Sequence, residues 1–445
     1  MDAGNLASVF VTMMVMNPAG HGISRASMAI AAVSTIVEWY DFTLYLDMTT
    51  VLSRVFFGGV EGSLVATLAG FALAYLLRPL GAIVFGQIGD RLGRRAMMLL
   101  SVALMTVAML ATVLLPTHAA IGAAAGWLLL LLRCVIGFSV GGEYTGVVAY
   151  LLEGAHKEKR GLITSLASAA SEIGALLAVG VSALTVHLLS PAALDDWGWR
   201  IPFFIGAALA GGVWIARSAM QESPDFERQR EAGTTPAAPL RYTLTHHRKG
   251  IARSFAISAL GSITYYVGIT YVPAFLTSAG SLTERASLWL STLAAVVVIL
   301  VTPLVGALSD RLGRRPVLVL LGVMSAVLPV TLFWLMASGS QLRALLGAVV
   351  LAAVAGGVSA VGAVATAEQF PGEGRLSGLA LGTTTATAIF GGLTPWLAQI
   401  LVQQTGWAIM PGVMIAVVGL AVLPVFFRMP ETRPASGADR VPPSS

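Results

Sequence analysis

Residues Gly86–Arg95 read GQIGDRLGRR, and nearly the same pattern returns at Gly306–Arg315 as GALSDRLGRR, 220 residues later. A second pair follows in the same order, because MQESP begins at Met220 and MPETR begins at Met429. Two ordered matches at nearly equal displacement indicate an internal duplication whose repeat is about half the chain. We therefore predict two halves of similar structure.

The composition is that of a membrane protein. Hydrophobic residues make up 56% of the 445-residue chain and charged residues only 11%, whereas about a quarter of the residues are charged in soluble domains. The apolar residues fall in blocks of about twenty, the length that crosses a bilayer core. The net charge of +5 comes from basic residues in short loops, without the contiguous basic surface that nucleic acid requires. These features predict many membrane spans and no nucleic-acid partner.

Twelve apolar segments between charged loops are predicted to span the bilayer. They cover residues 28–51, 64–85, 96–115, 121–152, 162–189, 201–219, 255–279, 286–308, 316–337, 345–367, 376–402 and 409–427. The longest hydrophilic stretch, 221–253, lies at mid-chain and is interpreted as a linker. The prediction is an all-α integral membrane protein, with six-helix bundles in 1–220 and 254–429 and a tail in 430–445. Parallel repeats of six helices are a transporter architecture.

The positions of Lys and Arg predict the orientation, because basic loops resist translocation. With a cytoplasmic amino terminus, the inner loops and tails hold 21 of the 27 basic residues, and two lie within spans. The outer loops then hold only four, namely Arg54, Arg200, Arg285 and Arg343. Both termini and the linker are therefore expected in the cytoplasm. The first twenty residues lack the basic start and the cleavage site of a signal peptide, so the first span is expected to direct insertion.

The repeated loop resembles a known signature. The pattern GxxxDRxGRR between helices 2 and 3, repeated between helices 8 and 9, is similar to that of the major facilitator superfamily. Four further stretches resemble its metabolite:proton symporter family: VEWYDFTLY at Val37, LLRPLGAIVFGQIGDRLGRR at Leu76, RCVIGFSVGGEY at Arg133 and WGWRIPFFIG at Trp197. Members of that family carry citrate, tricarballylate, α-ketoglutarate, shikimate, or proline and betaine. The segment ATAIFGGLTP at Ala386 is most similar to the citrate and tricarballylate carriers.

Two positions depart from the family pattern. Leu46 and Asp47 follow the YDFTLY run where a glycine is usual, and Glu172 occupies a position in helix 5 where an uncharged residue is expected. Both lie near the expected pathway. The substrate of a relative therefore cannot be transferred directly to this chain.

The resemblance implies a secondary active transporter in a bacterial inner membrane. It implies proton-coupled symport of a small carboxylate-bearing metabolite, either citrate- or dicarboxylate-like or zwitterionic, by alternating access, in a monomer without a cofactor or metal ion. The main alternative is an exporter of the same fold that moves a siderophore, toxin or drug by proton antiport. A membrane enzyme or a transport-like sensor is a third hypothesis, but the sequence contains no HExxH or phosphate-binding-loop pattern.

Ionisable residues inside the spans are functional candidates by default. All of them fall in the first half: Glu38, Asp41, Asp47, Arg78, Arg133, Glu143 and Glu172. Glu38, Asp41 and Tyr45 are spaced i, i+3 and i+7, which places them on one helix face. We interpret Glu38 and Asp41 as proton-coupling residues and Tyr45 as a substrate contact. A structural salt bridge to an arginine is the alternative for the carboxylates.

Arg133 is the leading candidate for binding an anionic substrate, because its planar fork matches a carboxylate. A permanent pair with Glu38, Asp41 or Glu172 is the rival interpretation. Glu172 and Arg78 are further substrate-binding candidates, although Arg78 could equally form a structural pair or extend toward the inner interface. Asp47 is expected at the outer interface.

Two further features of helix 4 concern packing. Four glycines, Gly137, Gly141, Gly142 and Gly146, form small-xxx-small patterns that allow another helix to approach closely. Glu143, among them, is expected to be buried and paired.

The repeated loops are interpreted as conformational elements. Gly93 and Gly313 permit tight bends. By resemblance, Asp90 and Asp310 would each contact a helix amino terminus in the other half and help to close the cytoplasmic side. Their neighbours Arg91, Arg94, Arg311 and Arg314 belong to the same gating motif. A solvated turn that only fixes topology is the alternative.

Overall fold

A computed structural model describes residues 23–59, 63–279 and 282–433. These residues are almost entirely helical, with no strand among them. The expectation about the first twenty residues, and most of the expected tail, lie outside the described residues. The twelve helices that follow the predicted spans are α1 (Arg25–Asp47), α2 (Ser63–Leu92), α3 (Arg94–Leu114), α4 (Ala124–Val140 with Glu143–Gly154), α5 (Arg160–Leu188), α6 (Arg200–Ser218), α7 (Arg248–Tyr265, continued by Tyr266–Thr270 and Val272–Ser278), α8 (Glu284–Leu312), α9 (Arg314–Met336), α10 (Gln341–Ala367), α11 (Arg375–Leu379, Ala380–Thr384 and Thr385–Phe390, then Thr394–Thr405) and α12 (Met410–Arg428).

Most of these helices have the length and composition of membrane spans. Within the described ranges, ten helices qualify, and α7 makes an eleventh if its two segments, bent by 43°, form one span. The helix α1 does not qualify by composition. It carries four charged residues, of which Glu38 and Asp41 are buried inside the protein. It can therefore be polar where a lipid-facing helix could not.

Several helices are interrupted, and local sequence explains some of the interruptions. The helix α4 breaks at Gly141–Gly142, and α7 and α11 each contain a π-helical turn. Gly93 and Gly313 separate α2 from α3 and α8 from α9 with φ angles of 109° and 102°, which favour glycine. The DR residues of both loop motifs are themselves helical, so α2 and α8 end later than predicted.

The predicted linker contains two short helices, Pro224–Glu231 and Pro239–His246, and its last residues belong to α7, which begins at Arg248. A capping serine starts the first of these helices, because the Ser223 hydroxyl accepts a hydrogen bond from the N–H of Phe226 at 3.3 Å. The first linker helix packs against α4, and the second packs against α2 and α11. The linker is therefore an ordered part of the protein.

Pairs of packed helices build each half, and equivalent helices of the two repeats join the halves. In the first half α1 packs on α5 and α2 on α4, and in the second half α8 packs on α10 and α9 on α12. Between the halves, α5 packs against α8 and α10, while α2 packs against α11. We call the end of the molecule that holds the loops 86–95 and 306–315 the motif end, and the other the opposite end.

Candidate functional site

A cavity of about 170 Å³ lies between the two halves. Among the described residues, the charged side chains that line it are those of Glu38, Arg78 and Glu172, all from the first half. Aliphatic, aromatic and hydroxyl side chains from both halves form the rest of the wall, and its aromatic and hydroxyl residues are Trp39, Tyr75, Tyr144, Thr145, Ser168, Ser171, Ser258, Ser262, Tyr265, Tyr266, Ser359, Thr366, Thr383, Thr384 and Thr387. A central cavity at the interface of two repeats is where transporters of this architecture bind substrate.

Glu38 and Arg78 form a loose ion pair at the edge of this cavity. Glu38 Oε1 lies 3.5 Å from Arg78 Nη1, which exceeds normal hydrogen-bond length. Glu38 Oε2 is buried without a hydrogen-bond partner among the described residues. The guanidinium of Arg78 lies 4.5 Å from the ring centre of Tyr75 and 5.1 Å from that of Phe42. Arg78 is therefore held by aromatic rings and keeps hydrogen-bonding capacity for another group.

Asp41 and Arg133 form a much tighter pair. Two hydrogen bonds of 2.9 Å join the guanidinium to the two carboxylate oxygens, and the Tyr45 ring centre lies 4.7 Å from the Arg133 guanidinium. The Tyr45 hydroxyl donates to the carbonyl of Thr67 at 2.8 Å. This pair lines a second, smaller cavity that also touches Glu38 and Arg78.

This geometry changes two of the site expectations. Arg133, the leading candidate for substrate binding, is engaged by Asp41 and does not line the larger cavity, whereas Arg78 does. Tyr45 is fully buried by packing and lines neither described cavity. Tyr45 lies on the same helix face as Asp41, as its spacing indicated, but its hydroxyl donates a hydrogen bond to a backbone carbonyl of α2.

Glu172 differs from the other buried carboxylates of the first half. It is 3% exposed, lines the larger cavity and forms no ion pair with a described residue. Tyr265, from the other half, lines the same cavity. Asp47 is exposed at the end of α1, where an interfacial position was expected.

Glu143 is buried and paired, as expected. Its carboxylate forms an ion pair with Arg217 at the end of α6 and accepts a hydrogen bond of 2.7 Å from Ser101. Arg217 also donates to the carbonyl of Met98 at 2.8 Å and contacts the Ser34 hydroxyl. One pair therefore joins α1, α3, α4 and α6.

Close packing of α2 on α4 sets the positions of both arginines. A side chain on Gly141 would place its first carbon 2.1 Å from the carbonyl oxygen of Arg78, and one on Gly137 would lie 2.2 Å from that of Ala74. Conversely, a side chain on Gly81 would lie 1.9 Å from the carbonyl oxygen of Phe138. The predicted small-residue pattern thus lets these backbones touch, as small residues do in membrane helix pairs.

The motif end is closed by contacts between the halves. Asp90 accepts hydrogen bonds from the N–H groups of Leu376 and Ser377, at 3.2 and 2.8 Å, at the start of α11. Asp310 accepts from Gly161 and Leu162, at 2.8 and 2.9 Å, at the start of α5. We call these two contacts the latches. Each places an anion at a helix amino terminus, where the helix dipole favours it.

The arginines of the motifs have two different positions. Arg94 and Arg314 are buried and pair with the aspartate of their own motif and with a glutamate, Glu153 for Arg94 at 3.0 Å and Glu368 for Arg314 at 3.2 Å. Arg91 and Arg311 are exposed. Equivalent arginines of the two repeats therefore have the same environment: Arg94 and Arg314 are both buried, and Arg91 and Arg311 are both exposed.

Besides Glu153 and Glu368, the sequence analysis missed three further residues at the motif end. Arg375 reaches Glu153 in the other half and lies 3.4 Å from Asp225 in the linker. Glu222 and Glu431 accept hydrogen bonds from the N–H groups that begin α3 and α9. The repeated MQESP and MPETR segments, which contain these two glutamates, were a signal that could have identified them. Burial raises the pKa of Glu222, although the N–H groups that donate to it act in the other direction.

Aromatic contacts join the halves on the other side of the cavity. The hydroxyls of Tyr75 and Tyr266 are in contact, and the Trp39 and Tyr265 ring centres lie 5.4 Å apart. Tyr75 also packs against Gly392 of α11. Interactions between the halves therefore lie at both ends of the cavity.

Comparison with known proteins identifies the family. Residues 27–238 match the family model for sugar (and other) transporters, and residues 281–444 match that of the major facilitator superfamily. The ectoine/proline transporter of Corynebacterium glutamicum is 33% identical, over 90% of this chain and 83% of the relative. The α-ketoglutarate permease of Escherichia coli is 34% identical, over 83% and 86%. The citrate-proton symporter of Klebsiella pneumoniae is 30% identical, over 91% of each chain.

The fold also matches solved structures. The proton:xylose symporter XylE bound to 6-bromo-6-deoxy-D-glucose superimposes with a TM-score of 0.74 at 19% identity, covering 92% of this chain and 96% of that one. The loop signature, the duplicated helices and the relatives agree. The chain belongs to the major facilitator superfamily and, within it, to the metabolite:proton symporter family that its motifs resemble.

Proposed function

We propose that this protein is a proton-coupled symporter of a small carboxylate-bearing metabolite that works by alternating access. The observation that carries the proposal is a cation, Arg78, facing a central cavity that both halves line. Relatives of this chain are named for proline, ectoine, α-ketoglutarate or citrate, and each of these compounds bears a carboxylate.

Arg78 is the proposed anchor for the substrate carboxylate. Its contact with Glu38 is long, so a substrate carboxylate can take a guanidinium edge with good geometry without first breaking a strong pair. Arg133 would need to leave two 2.9 Å hydrogen bonds to do the same. The aromatic rings beneath Arg78 hold its side chain in the orientation that faces the cavity.

Asp41 and Glu38 are the proposed proton carriers. Arginine keeps its charge in almost any environment, so protonation of a pair falls on the carboxylate. A proton on Asp41 would weaken the bidentate pair and release Arg133, which provides a mechanical link between proton binding and helix movement. Glu38, next to Arg78, would link the same proton to the substrate site.

The test is uptake by purified protein in proteoliposomes with an imposed pH gradient. Asp41→Asn or Glu38→Gln should abolish accumulation of substrate against its gradient but leave some exchange of substrate across the membrane, because an amide imitates only the protonated acid. Asp47→Asn, which removes an exposed carboxylate from the same helix, should accumulate substrate normally. If Asp41→Asn and Glu38→Gln both accumulate substrate with normal pH dependence, these carboxylates are structural.

We also propose that the motif end faces the cytoplasm of a bacterial cell. The 21 basic residues on that side of the predicted topology support this orientation. The latches would then close the cytoplasmic side while substrate enters from outside.

A further inference from the structure

We infer that Glu172 and the aromatic side chains beside it form a subsite for a positively charged group, so that the substrate is a zwitterion carrying one carboxylate and one ammonium. The inference rests on the proposed function, in which Arg78 receives the carboxylate. It assigns a role to Glu172, one of the two positions where this chain departs from the pattern of its family.

Glu172 is the carboxylate that faces the cavity without a basic partner. Its side chain lies in the middle of α5 and is 3% exposed, and no described Lys, Arg or His lies within ion-pair distance of it. By contrast, Glu38, Asp41 and Glu143 are each paired with an arginine. A buried charge without a partner is costly, and a cationic group of the substrate would supply the missing partner.

An unsatisfied oxygen in the cavity wall also favours a substrate that carries a hydrogen-bond donor. Glu38 is also 3% exposed, and its Oε2 has no hydrogen-bond partner within the described part of the protein. Glu38 and Glu172 line the same cavity as Arg78. A donor group on the substrate is therefore needed on the carboxylate side as well as an acceptor on the arginine side.

The wall near Glu172 suits an ammonium group, including a methylated one. Tyr265 lines the cavity together with Glu172, and the Tyr265 ring packs on Trp39 and Tyr266, with ring centres 5.4 and 5.3 Å apart. Cations are attracted to the faces of aromatic rings, and quaternary ammonium groups are bound in this way. Tyr144 lines the same cavity.

The charges of the wall argue against substrates with several carboxylates. The described ionisable residues that line the cavity are two carboxylates and one guanidinium. A second carboxylate on the substrate would find no second cation there, and Glu172 would repel it. Juxtaposed like charges are a strong device for excluding a wrong ligand. The cavity therefore favours a zwitterion, whereas the segment at Ala386 resembles the citrate and tricarballylate carriers.

The experiment measures uptake in proteoliposomes of glycine betaine, L-proline, α-ketoglutarate and citrate, by the natural protein and by Glu172→Gln. We expect a zwitterion to be taken up, and its apparent KM to rise roughly tenfold or more in Glu172→Gln. Competition by α-ketoglutarate should be weak in the natural protein and stronger in the variant. Glu172→Asp keeps the charge and should retain most of the affinity. Asp47→Asn is the matched control, and it should transport normally.

The outcomes separate this inference from the function on which it rests. Uptake of α-ketoglutarate or citrate that depends on Arg78, with zwitterions excluded, would overturn the zwitterion site and leave the symporter proposal intact. Unchanged zwitterion affinity in folded Glu172→Gln would remove Glu172 from the site. Failure to transport any of the four compounds would reject both proposals for these substrate classes. If Glu172→Gln does not fold, Tyr265→Leu tests the same subsite, and it must weaken zwitterion uptake more than the uptake of any dicarboxylate.

Discussion

At the scale of single residues, most buried charges of the first half are stabilised by pairing, whereas Glu172 has no basic partner among the described residues, and the pairs differ in strength. Glu143 and Arg217 are almost fully buried, and several hydrogen bonds join them to each other and to Ser101 and Met98, although Arg217 Nε has no partner among the described residues. The contact between Glu38 and Arg78 is long and leaves one oxygen unsatisfied. The pair of Glu143 and Arg217 joins four helices, whereas the loose pair of Glu38 and Arg78 at the cavity can exchange partners.

The first prediction concerns the ion pair of Glu143 and Arg217. Arg217→Met should leave Glu143 as a buried charge without a partner and destabilise the protein by about 3–5 kcal/mol. The double variant Arg217→Met with Glu143→Gln should recover much of this loss, because no buried charge remains. Thermal unfolding in detergent would measure both. If the single variant unfolds at the same temperature as the natural protein, the pair is not structural.

The burial of the charged residues could be predicted from sequence, but their partners could not. Hydropathy places Glu38, Asp41 and Glu143 within spans, and spacing places the first two on one face of α1. The choice of Asp41 as the partner of Arg133 depends on how α4 is rotated and where it breaks. Arg217 escaped notice because it lies at the end of α6, where an arginine is ordinarily interfacial.

At the scale of helices, glycine sets the distance between α2 and α4. Gly137 and Gly141 of α4 meet the carbonyls of Ala74 and Arg78, and Gly81 of α2 meets that of Phe138. The positions of Arg78 and Arg133 relative to each other therefore depend on residues that carry no functional group. Membrane helices pack by this kind of contact because lipid provides no hydrophobic driving force between them.

Gly141→Ala should therefore impair both stability and transport. The added carbon would lie 2.1 Å from the Arg78 carbonyl oxygen, so the helices must separate, at a cost of about 1–3 kcal/mol. The shift would also displace Arg78 and raise the apparent KM. Gly212→Ala is the control, because no atom lies within 4 Å of the added carbon; it should be neutral. Equal unfolding temperatures and equal KM values for the two variants would contradict this account.

The spans themselves were predictable because runs of about twenty apolar residues have few alternatives. The interruptions in α4, α7 and α11 were not predicted, since the sequence stays apolar through them. The helical continuation of α2 and α8 into the charged motifs was also missed. In that continuation, Asp90 and Asp310 accept hydrogen bonds from N–H groups of the other half, a contact that hydropathy does not reveal.

At the scale of the whole molecule, the duplication gives the protein two related latches. Asp90 of the first half holds the start of α11, and Asp310 of the second half holds the start of α5. The repeat in the sequence predicted that the two loops would act alike, and the resemblance predicted their helix contacts. The supporting ion pairs to Glu153 and Glu368 required the folded structure, because these glutamates lie far from the motifs in sequence.

The last prediction is that breaking both latches exposes the cavity at the motif end. Asp90→Asn with Asp310→Asn keeps the side-chain size but removes the charge, so the charge-assisted hydrogen bonds to four N–H groups weaken. A cysteine at Thr383, in the cavity wall, reports access in a Cys134→Ser background. Inside-out vesicles should label it with an impermeant maleimide several-fold faster when the latches are broken. Intact cells should label it more slowly.

A second cysteine fixes the side from which the reagent acts. Ala232 is exposed in the linker at the motif end, so Ala232→Cys should react in inside-out vesicles and be protected in intact cells. Reaction in intact cells alone would reverse the proposed orientation. With the orientation established, equal labelling of the Thr383 position with and without the latches would mean that the closure of the motif end rests on other contacts. The linker, Arg375, which joins Glu153 across the halves, and Arg94, which donates to the carbonyl of Gly372 at 2.8 Å, would then be the first contacts to test.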